Sequence, residues 1–269
     1  MKKKINPYLL IGLILTGLIL LIALAGAIHT PYSPTAMQYG KFQPPSAAHL
    51  CGTDNFGRDI LSRILKGLGT TLSIAFLTLA IGAAAGTAIG AVTGYFGGAI
   101  DEILMRFNDV VTAFPSILLA LLVISLLGPG NKYNVVLALG LVFIPSFARV
   151  TRTAFASLRD INYITSARLM GAGWTRILFV HMLPNTLRVL LPAITIGFNN
   201  AVLAEASMSF LGIGVTPPDA SLGYMLSEAQ SMLASCPWYA IFTGLAIILL
   251  VFGVGLIGEG LQVQNREVI

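Results

Sequence analysis

The polar side chains that lie inside long apolar stretches are the first candidates for chemistry in this sequence. Glu205 is the only acid in one such stretch, and Asn199 and Asn200 lie in the middle of the same stretch. Hydrocarbon offers these groups no partner, so they are expected to face other protein groups or a water-filled cavity. At least one asparagine should therefore face a pathway or another helix. Glu205 could line a pathway near one mouth, or it could hold the following turn through a structural hydrogen bond.

Histidines and cysteines give little support for a metal or catalytic centre. His29 and His49 could in principle meet a metal ion, but no third ligand is evident, and metal sites need several converging ligands. His181 is best interpreted as a solvated residue at an interface. Cys51 and Cys236 do not have metal-site spacing. A disulfide between them is conceivable, although two unpaired thiols are the simpler interpretation.

Composition indicates how these residues must be positioned. The chain has 269 residues, of which 56% are hydrophobic and 10% charged, whereas a soluble domain usually carries roughly a quarter charged residues. Three runs without Asp, Glu, Lys or Arg, each long enough to cross a bilayer, lie between Lys4 and Lys41, between Lys66 and Asp101, and between Glu228 and Glu259. The net charge is +5, and the basic residues lie beside the apolar runs. This distribution favours the bilayer over nucleic acid as a partner.

The sequence therefore predicts an all-α integral membrane protein with six spans. The predicted spans are Tyr8–Ile28, Thr71–Phe96, Val110–Leu127, Asn134–Val150, Leu187–Ala206 and Trp238–Ile257. The first apolar stretch is longer than a typical signal-peptide core, which predicts a retained helix. We expect three regions: residues 1–68 with the first span and an external segment, residues 69–262 as the core, and residues 263–269 as a short cytoplasmic tail.

Charge asymmetry predicts the orientation of these spans. With both termini cytoplasmic, eleven Lys and Arg residues fall inside and five fall outside, which favours this orientation over its inverse. The external segment between the first two spans includes residues 56–68, whose apolar residues recur at helical spacing. This spacing predicts an amphipathic helix lying along the membrane surface.

Four glycines in the second span recur every four residues, which places them on one helix face. They are Gly82, Gly86, Gly90 and Gly94. Such a face lets another helix backbone come close. The pattern predicts either tight packing in a bundle or ordinary helix pairing, and the spacing alone does not separate the two.

The longest predicted cytoplasmic loop, Thr151–Asn185, has the pattern of a short helix, a glycine break and a second short helix. The first helix could be capped by Asp160 or Asn162, and the second could run from Trp174 to Met182 and end at Pro184. This element could dock on a partner protein or lie on lipid headgroups. The candidate docking residues are Tyr163, Ile164, Ala167, Arg168, Met170, Gly171 and Ala172.

The same loop resembles the coupling signature of ABC importer permeases, in which a Glu-Ala-Ala triplet precedes a glycine and a Leu-Pro pair follows. Gly171 matches the glycine and Leu183-Pro184 the pair, whereas Thr165 stands in place of the glutamate. Three further stretches resemble the dipeptide, oligopeptide and nickel branch of that family. They are HLCGTDNFGRDILSR at residues 49–63, GYFGG at residues 94–98, and EASMSFLGIGV at residues 205–215 followed by Pro217-Pro218.

This resemblance implies a transport subunit of a bacterial cell membrane. It would form half of a translocation pathway for short peptides or nickel, together with a second, homologous permease. Two ATPase subunits would dock on the cytoplasmic loop, and an extracellular or periplasmic binding protein would deliver the solute. The chain lacks a phosphate-binding Gly-x-x-x-x-Gly-Lys-Ser/Thr motif. We therefore expect no cofactor and no enzymatic activity in this chain, with ATP and magnesium held by the partners.

Two other classes of protein remain as alternatives. An intramembrane enzyme would need a Ser/His or His/Glu constellation inside the spans, where only His29 lies at an edge. An ion-driven secondary transporter would favour charges at mid-span, and it often shows an inverted repeat, which we do not find. Both alternatives predict activity without ATPase partners.

Overall fold

The computed structural model describes residues 6–266, and the regular structure in this range is helical. The helices are α1 (Pro7–Ile28), α2 (Ile60–Phe96), α3 (Gly98–Thr112), α4 (Ser116–Leu127), α5 (Lys132–Arg159), α6 (Asn162–Leu169), α7 (Trp174–Arg176), a π-helical segment (Ile177–Met182), α8 (Leu183–Phe210), α9 (Leu222–Gln230) and α10 (Pro237–Arg266). Five helical runs in this range are long and apolar enough to cross a membrane, and the bent pair α3–α4 would make a sixth. The predicted all-α membrane fold is therefore confirmed.

The predicted surface helix at residues 56–68 is wrong. Instead, α2 begins at Ile60 and continues without a break to Phe96. Asp59 caps its start by accepting a hydrogen bond from the Ser62 backbone N–H at 2.8 Å. The presumed solvent face is buried, with Arg58 7% and Arg63 3% exposed. The amphipathic pattern was misleading because these polar groups meet polar partners inside the protein rather than water.

The third predicted span is broken rather than straight. Helices α3 and α4 meet at an angle of 86°, and Pro115 lies at the break. Proline lacks a backbone N–H, and its ring disfavours helical geometry at the preceding residue, Phe114. The span therefore divides into α3 and the twelve-residue α4.

The second short helix of the long loop does not end at Pro184, as was predicted. Helix α7, the π-helical segment and α8 form one helical run, Trp174–Phe210. Pro184 lies in the first turn of α8, directly after the π-helical segment, where the hydrogen-bond pattern of the run changes. The predicted loop between the last two spans also contains a helix, α9, whose start is capped by Ser221.

Packing divides the interior into three apolar clusters. The first joins α1, α2, α8, α9 and α10, and the second joins α2, α4, α5 and α8. The third joins the end of α5 to α6 and the π-helical segment. Asn6 donates to the Gly260 carbonyl at 3.0 Å, and Asn265 donates to the Arg188 carbonyl at 2.6 Å. Both ends of the described chain therefore lie at the end of the bundle that holds α6, called the α6 end below.

Candidate functional site

Helix α6 ends in a tight glycine-based reversal. The Ala172 N–H donates to the Ala167 carbonyl, and the Gly171 N–H donates to the Arg168 carbonyl, both at 3.0 Å. Gly171 has φ +83°, a conformation that side chains with a Cβ rarely adopt. A Cβ there would meet nothing within 4 Å, so glycine is needed for its backbone conformation and not for space. This turn directs the chain from α6 into α7.

The candidate docking residues on and just after α6 include both buried and exposed side chains. Ile164 is fully buried and Ala167 is 5% exposed, because both pack toward the third apolar cluster of their own chain. Leu169 and Met170, by contrast, are 84% and 82% exposed. Ile164 and Ala167 therefore hold α6 on the bundle, and their part in coupling to an ATPase stays a prediction. Met170 and its neighbour Leu169, which is not among the predicted residues, are the most exposed large apolar side chains of this turn.

The remaining candidate residues connect this turn to neighbouring helices. The Arg168 guanidinium lies over the Tyr95 ring at 5.6 Å, at the end of α2. Tyr163 is exposed, and its hydroxyl accepts a hydrogen bond from the Asn185 side chain at 3.2 Å. Ala172 is half-buried and packs against the third cluster. Movement of α6 is therefore linked both to α2 and to the first turn of α8.

The four glycines of α2 form a groove for α5. A Cβ at Gly82 would lie 2.7 Å from the Phe143 Cβ, and a Cβ at Gly86 would lie 2.5 Å from the Ile144 carbonyl oxygen. The same applies one and two turns further along, where Gly90 faces Thr151 and Gly94 faces Phe155. No side chain fits at these positions without separating the helices, so the stripe holds α2 and α5 at close range.

The two mid-span asparagines occupy different places. Asn200 is exposed and lines a cavity of about 630 Å³ between α5 and α8, into which the bend between α3 and α4 also projects. Asn199 lines a separate cavity of about 210 Å³ beside α10, together with Glu259. The structure therefore places only Asn200 on the larger cavity.

Glu205 lies away from the cavities and is fully buried. Its carboxylate accepts hydrogen bonds from the Ser209 hydroxyl at 2.7 Å and from the Thr71 hydroxyl at 2.9 Å. These hydroxyls in turn accept from the backbone N–H groups of Val215 and Leu222. Glu205 therefore organises the turn after α8, which corresponds to the structural alternative of the sequence analysis.

A buried ionic cluster that was not predicted from the sequence lies at the opposite end of the bundle, where α9 lies. Arg58 and Arg63 each donate to Asp54 and to Glu228, with the four N···O distances between 2.5 and 3.0 Å. The Tyr239 hydroxyl also donates to Glu228 at 2.8 Å. The two arginines were visible in the sequence, but Glu228 lies 165 or more residues away, so no local pattern could reveal this cluster.

His49 and the two cysteines are structural residues. The His49 ring lies 2.9 Å from Asp59 in the interior, and residues 6–266 contain no group of three or more His, Cys, Asp or Glu side chains that could hold a metal. Cys51 and Cys236 are both free and buried. Burial, with a smaller contribution from the Asp59 charge, raises the pKa of Cys51 to about 11. This thiol is therefore protonated and unreactive at neutral pH.

Comparison with known proteins agrees with this geometry. Residues 86–263 match the family described as binding-protein-dependent transport system inner membrane component. The dipeptide transport system permease protein of Haemophilus influenzae is 39% identical over 96% of this chain and 90% of its own length. The glutathione transport system permease protein of Pectobacterium atrosepticum is 42% identical over 81% of this chain and 72% of its own length.

Solved structures show the same fold at lower identity. The inward-facing MetNI methionine ABC transporter matches with a TM-score of 0.59 and 22% identity, over 77% of this chain and 96% of that chain. An amino acid ABC transporter matches with a TM-score of 0.54 and 21% identity, over 76% of this chain and 94% of that chain. The protein belongs to the binding-protein-dependent transport inner-membrane family and is the multi-pass permease subunit of a bacterial ABC importer, a transport component rather than an enzyme.

Proposed function

We propose that this permease imports short peptides. The observation that carries the proposal is the set of relatives that are similar along most of the chain, which are named as dipeptide, di/tripeptide and glutathione permeases. In this arrangement the chain pairs with a second, homologous permease, and an external binding protein delivers the peptide. Asn200 lines this chain's share of the pathway. Nickel, free or chelated, is the other solute expected from the sequence.

An uptake assay on the complete transporter separates these solutes. The complex is reconstituted in proteoliposomes with its own binding protein and supplied with ATP and magnesium. Labelled di- and tripeptides should accumulate, and nickel should neither accumulate nor compete. Accumulation of nickel without peptide uptake would overturn the peptide proposal, and uptake without ATP or ATPase subunits would favour a secondary transporter.

The proposal also assigns the α6 end of the bundle to the cytoplasm. Two ATPase subunits, which bind ATP and magnesium, then dock on the two permeases of the complex. In this chain the residues that contact an ATPase subunit are Leu169 and Met170. Two large apolar side chains that are more than 80% exposed are suited to a groove on a partner. Nucleotide closure would move α6, and the contacts of α6 with α2 and α8 would transmit the movement to the pathway.

Crosslinking tests the docking contact. A cysteine at Met170, in a background without Cys51 and Cys236, should crosslink to the ATPase subunit in the assembled complex. Ala167→Cys is the matched control on the same helix, because that position is buried against its own chain. Equal capture of the ATPase from both positions, or capture of lipid alone from Met170→Cys, would contradict the docking surface.

Paired glycine variants test the turn. Gly171→Val should reduce transport by more than about tenfold while membrane insertion is retained, because valine does not adopt φ +83° without strain. Gly173→Val is the control, since Gly173 has φ −64° and open space around its missing side chain. Unchanged uptake by Gly171→Val would remove the turn from the mechanism.

A further inference from the structure

Two cavities on the α5–α8 face meet at the same three side chains. The larger, of about 630 Å³, extends along these helices toward Leu139 and Met208. The smaller, of about 280 Å³, extends the other way, toward Val150 and Ala193. Phe143, Ser146 and Asn200 line both cavities. These three residues therefore mark the level at which one cavity gives way to the other.

The backbone at this level is fixed by close helix contacts. The Phe143 Cβ packs on Gly82 of α2, where an added Cβ would approach it to 2.7 Å. One turn further along α5, the Phe147 ring packs on Gly197 of α8, also at 2.7 Å from an added Cβ. The helices that carry the three shared residues are thus held at close range to one another and to α2.

The lining of the two cavities carries no charge. No Asp, Glu, Lys, Arg or His is among the residues that line either cavity in the described chain. By contrast, Arg58, Arg63, Lys66 and Asp219 line a cavity at the α9 end of the bundle. Where the two neutral cavities meet, Ser146 and Asn200 are exposed and can offer hydroxyl and amide hydrogen bonds.

We propose that Phe143, Ser146 and Asn200 form a charge-indifferent constriction that hydrogen-bonds the peptide backbone. Amide and hydroxyl groups pair with the N–H and C=O groups that every peptide has, whatever its side chains. A fixed charge in a narrow, poorly hydrated passage would instead favour peptides of opposite charge. The inference rests on the proposed peptide function and adds to it: this step does not select by side-chain charge.

The test introduces a charge at the constriction. The complete transporter, in proteoliposomes, receives binding protein preloaded with Ala-Lys-Ala, Ala-Gln-Ala or Ala-Glu-Ala, so that the rate of a single delivery round reports translocation rather than capture. The wild type should move the three peptides at rates within about threefold of one another. Asn200→Asp should favour the Lys peptide over the Glu peptide by about tenfold or more, because a carboxylate at this level attracts the Lys side chain and repels the Glu side chain at close range.

Three further variants keep the test decisive. Ser146→Asp repeats it from α5, in case Asn200→Asp does not assemble. Asn200→Leu removes the amide without adding charge, and it should slow all three peptides alike. Gln230→Glu adds a negative charge on the exposed last residue of α9, outside both cavities, and should leave the ratio of rates unchanged.

The possible outcomes separate the two levels of the proposal. A wild-type preference of more than about tenfold between the Lys and Glu peptides would overturn the constriction, because a neutral lining does not produce it. Peptide uptake by both aspartate variants at wild-type ratios would also overturn it, and would leave peptide import standing. Failure of the wild type to move any of the three peptides would overturn peptide import together with the constriction.

Discussion

At the residue scale, the fate of polar side chains in this bundle depends on whether a partner is within reach. Glu205 has two hydroxyl donors, and each of those hydroxyls also accepts a backbone N–H from the segment that follows α8. Through these hydroxyls the carboxylate is linked to the backbone N–H groups of Val215 and Leu222. Asn200 is exposed to a cavity instead, so its amide is available to a solute. Glu205 and Asn200 are both polar and lie five positions apart on one helix, but Glu205 is bonded inside the protein and Asn200 faces a cavity.

The Glu205 network predicts a difference between two adjacent threonines. Thr71→Val should lower the free energy of unfolding by about 1–3 kcal/mol, because it leaves a buried carboxylate oxygen and the Leu222 N–H without a partner. Thr70→Val is the control, since the exposed Thr70 hydroxyl bonds only to the Lys66 carbonyl of its own helix. Thermal unfolding of the purified complex measures both variants. Equal stability of the two would show that the network contributes nothing.

At the element scale, α2 and α5 form the rigid unit of the structure. The stripe from Gly82 to Gly94 brings the two backbones into direct contact over about three turns. At the end of this unit, Tyr95 meets Arg168 of α6, and Phe96 meets Trp174 at 5.8 Å between ring centroids. The glycine-packed pair therefore lies between the α6 surface proposed for docking and the cavities proposed as the pathway.

This arrangement predicts the effect of filling the groove. Gly86→Val should destabilise the protein by about 1–3 kcal/mol or more, because its Cβ would overlap the Ile144 carbonyl and the Phe147 Cβ. Gly69→Ala, on the same helix, should be neutral or stabilising by up to about 1 kcal/mol, since an added methyl group meets nothing within 4 Å and alanine favours helix. Thermal unfolding and yield in the membrane fraction check the pair. Tolerance of valine at position 86 would contradict close α2–α5 packing.

At the scale of the whole molecule, the α9 end of the bundle is held together by charge. Arg58 and Arg63, which lie before and in the first turn of α2, each bridge Asp54 to Glu228 of α9. The Tyr239 hydroxyl of α10 also donates to Glu228. Both arginines and Asp54 are less than 10% exposed, so their charges are paired with one another and with Glu228 instead of being solvated by water. It fixes the segment before α2, the start of α2, α9 and α10 relative to one another.

Removing one charge from this cluster should be costly. Arg63→Met is expected to lower the free energy of unfolding by about 3–5 kcal/mol, because Asp54 and Glu228 would lose a buried partner. Lys66→Met, about one turn away at an exposed position, should change it by less than about 1 kcal/mol. Thermal unfolding of the complex distinguishes the two. Equal losses would show that burial of the cluster does not contribute to stability.

Local sequence determined much of this protein. Spans 1, 2 and 6 follow from uncharged apolar runs, and the family follows from the stretches at residues 49–63 and 205–215, because such features need only neighbouring residues. The start of α2 was wrongly predicted. Its polar face resembles a solvent-exposed face in the sequence, whereas in the fold Arg58 and Arg63 pair with Glu228, which is distant in sequence. The continuation of the helix through Pro184 was not predicted, because a proline usually marks the end of a helix. In the structure a π-helical segment precedes Pro184 and the helix continues.

Only the tertiary structure decided which residues face the protein, the lipid or a cavity. Ile164, Ala167 and Met170 are alike in sequence as candidate docking residues, but packing against the third cluster buried the first two and left Met170 exposed. The two asparagines were equivalent in sequence, and the position of α10 separated them. The reason is physical: hydrophobic runs and helical turns are local properties, whereas burial and pairing depend on segments that meet only when the chain has folded.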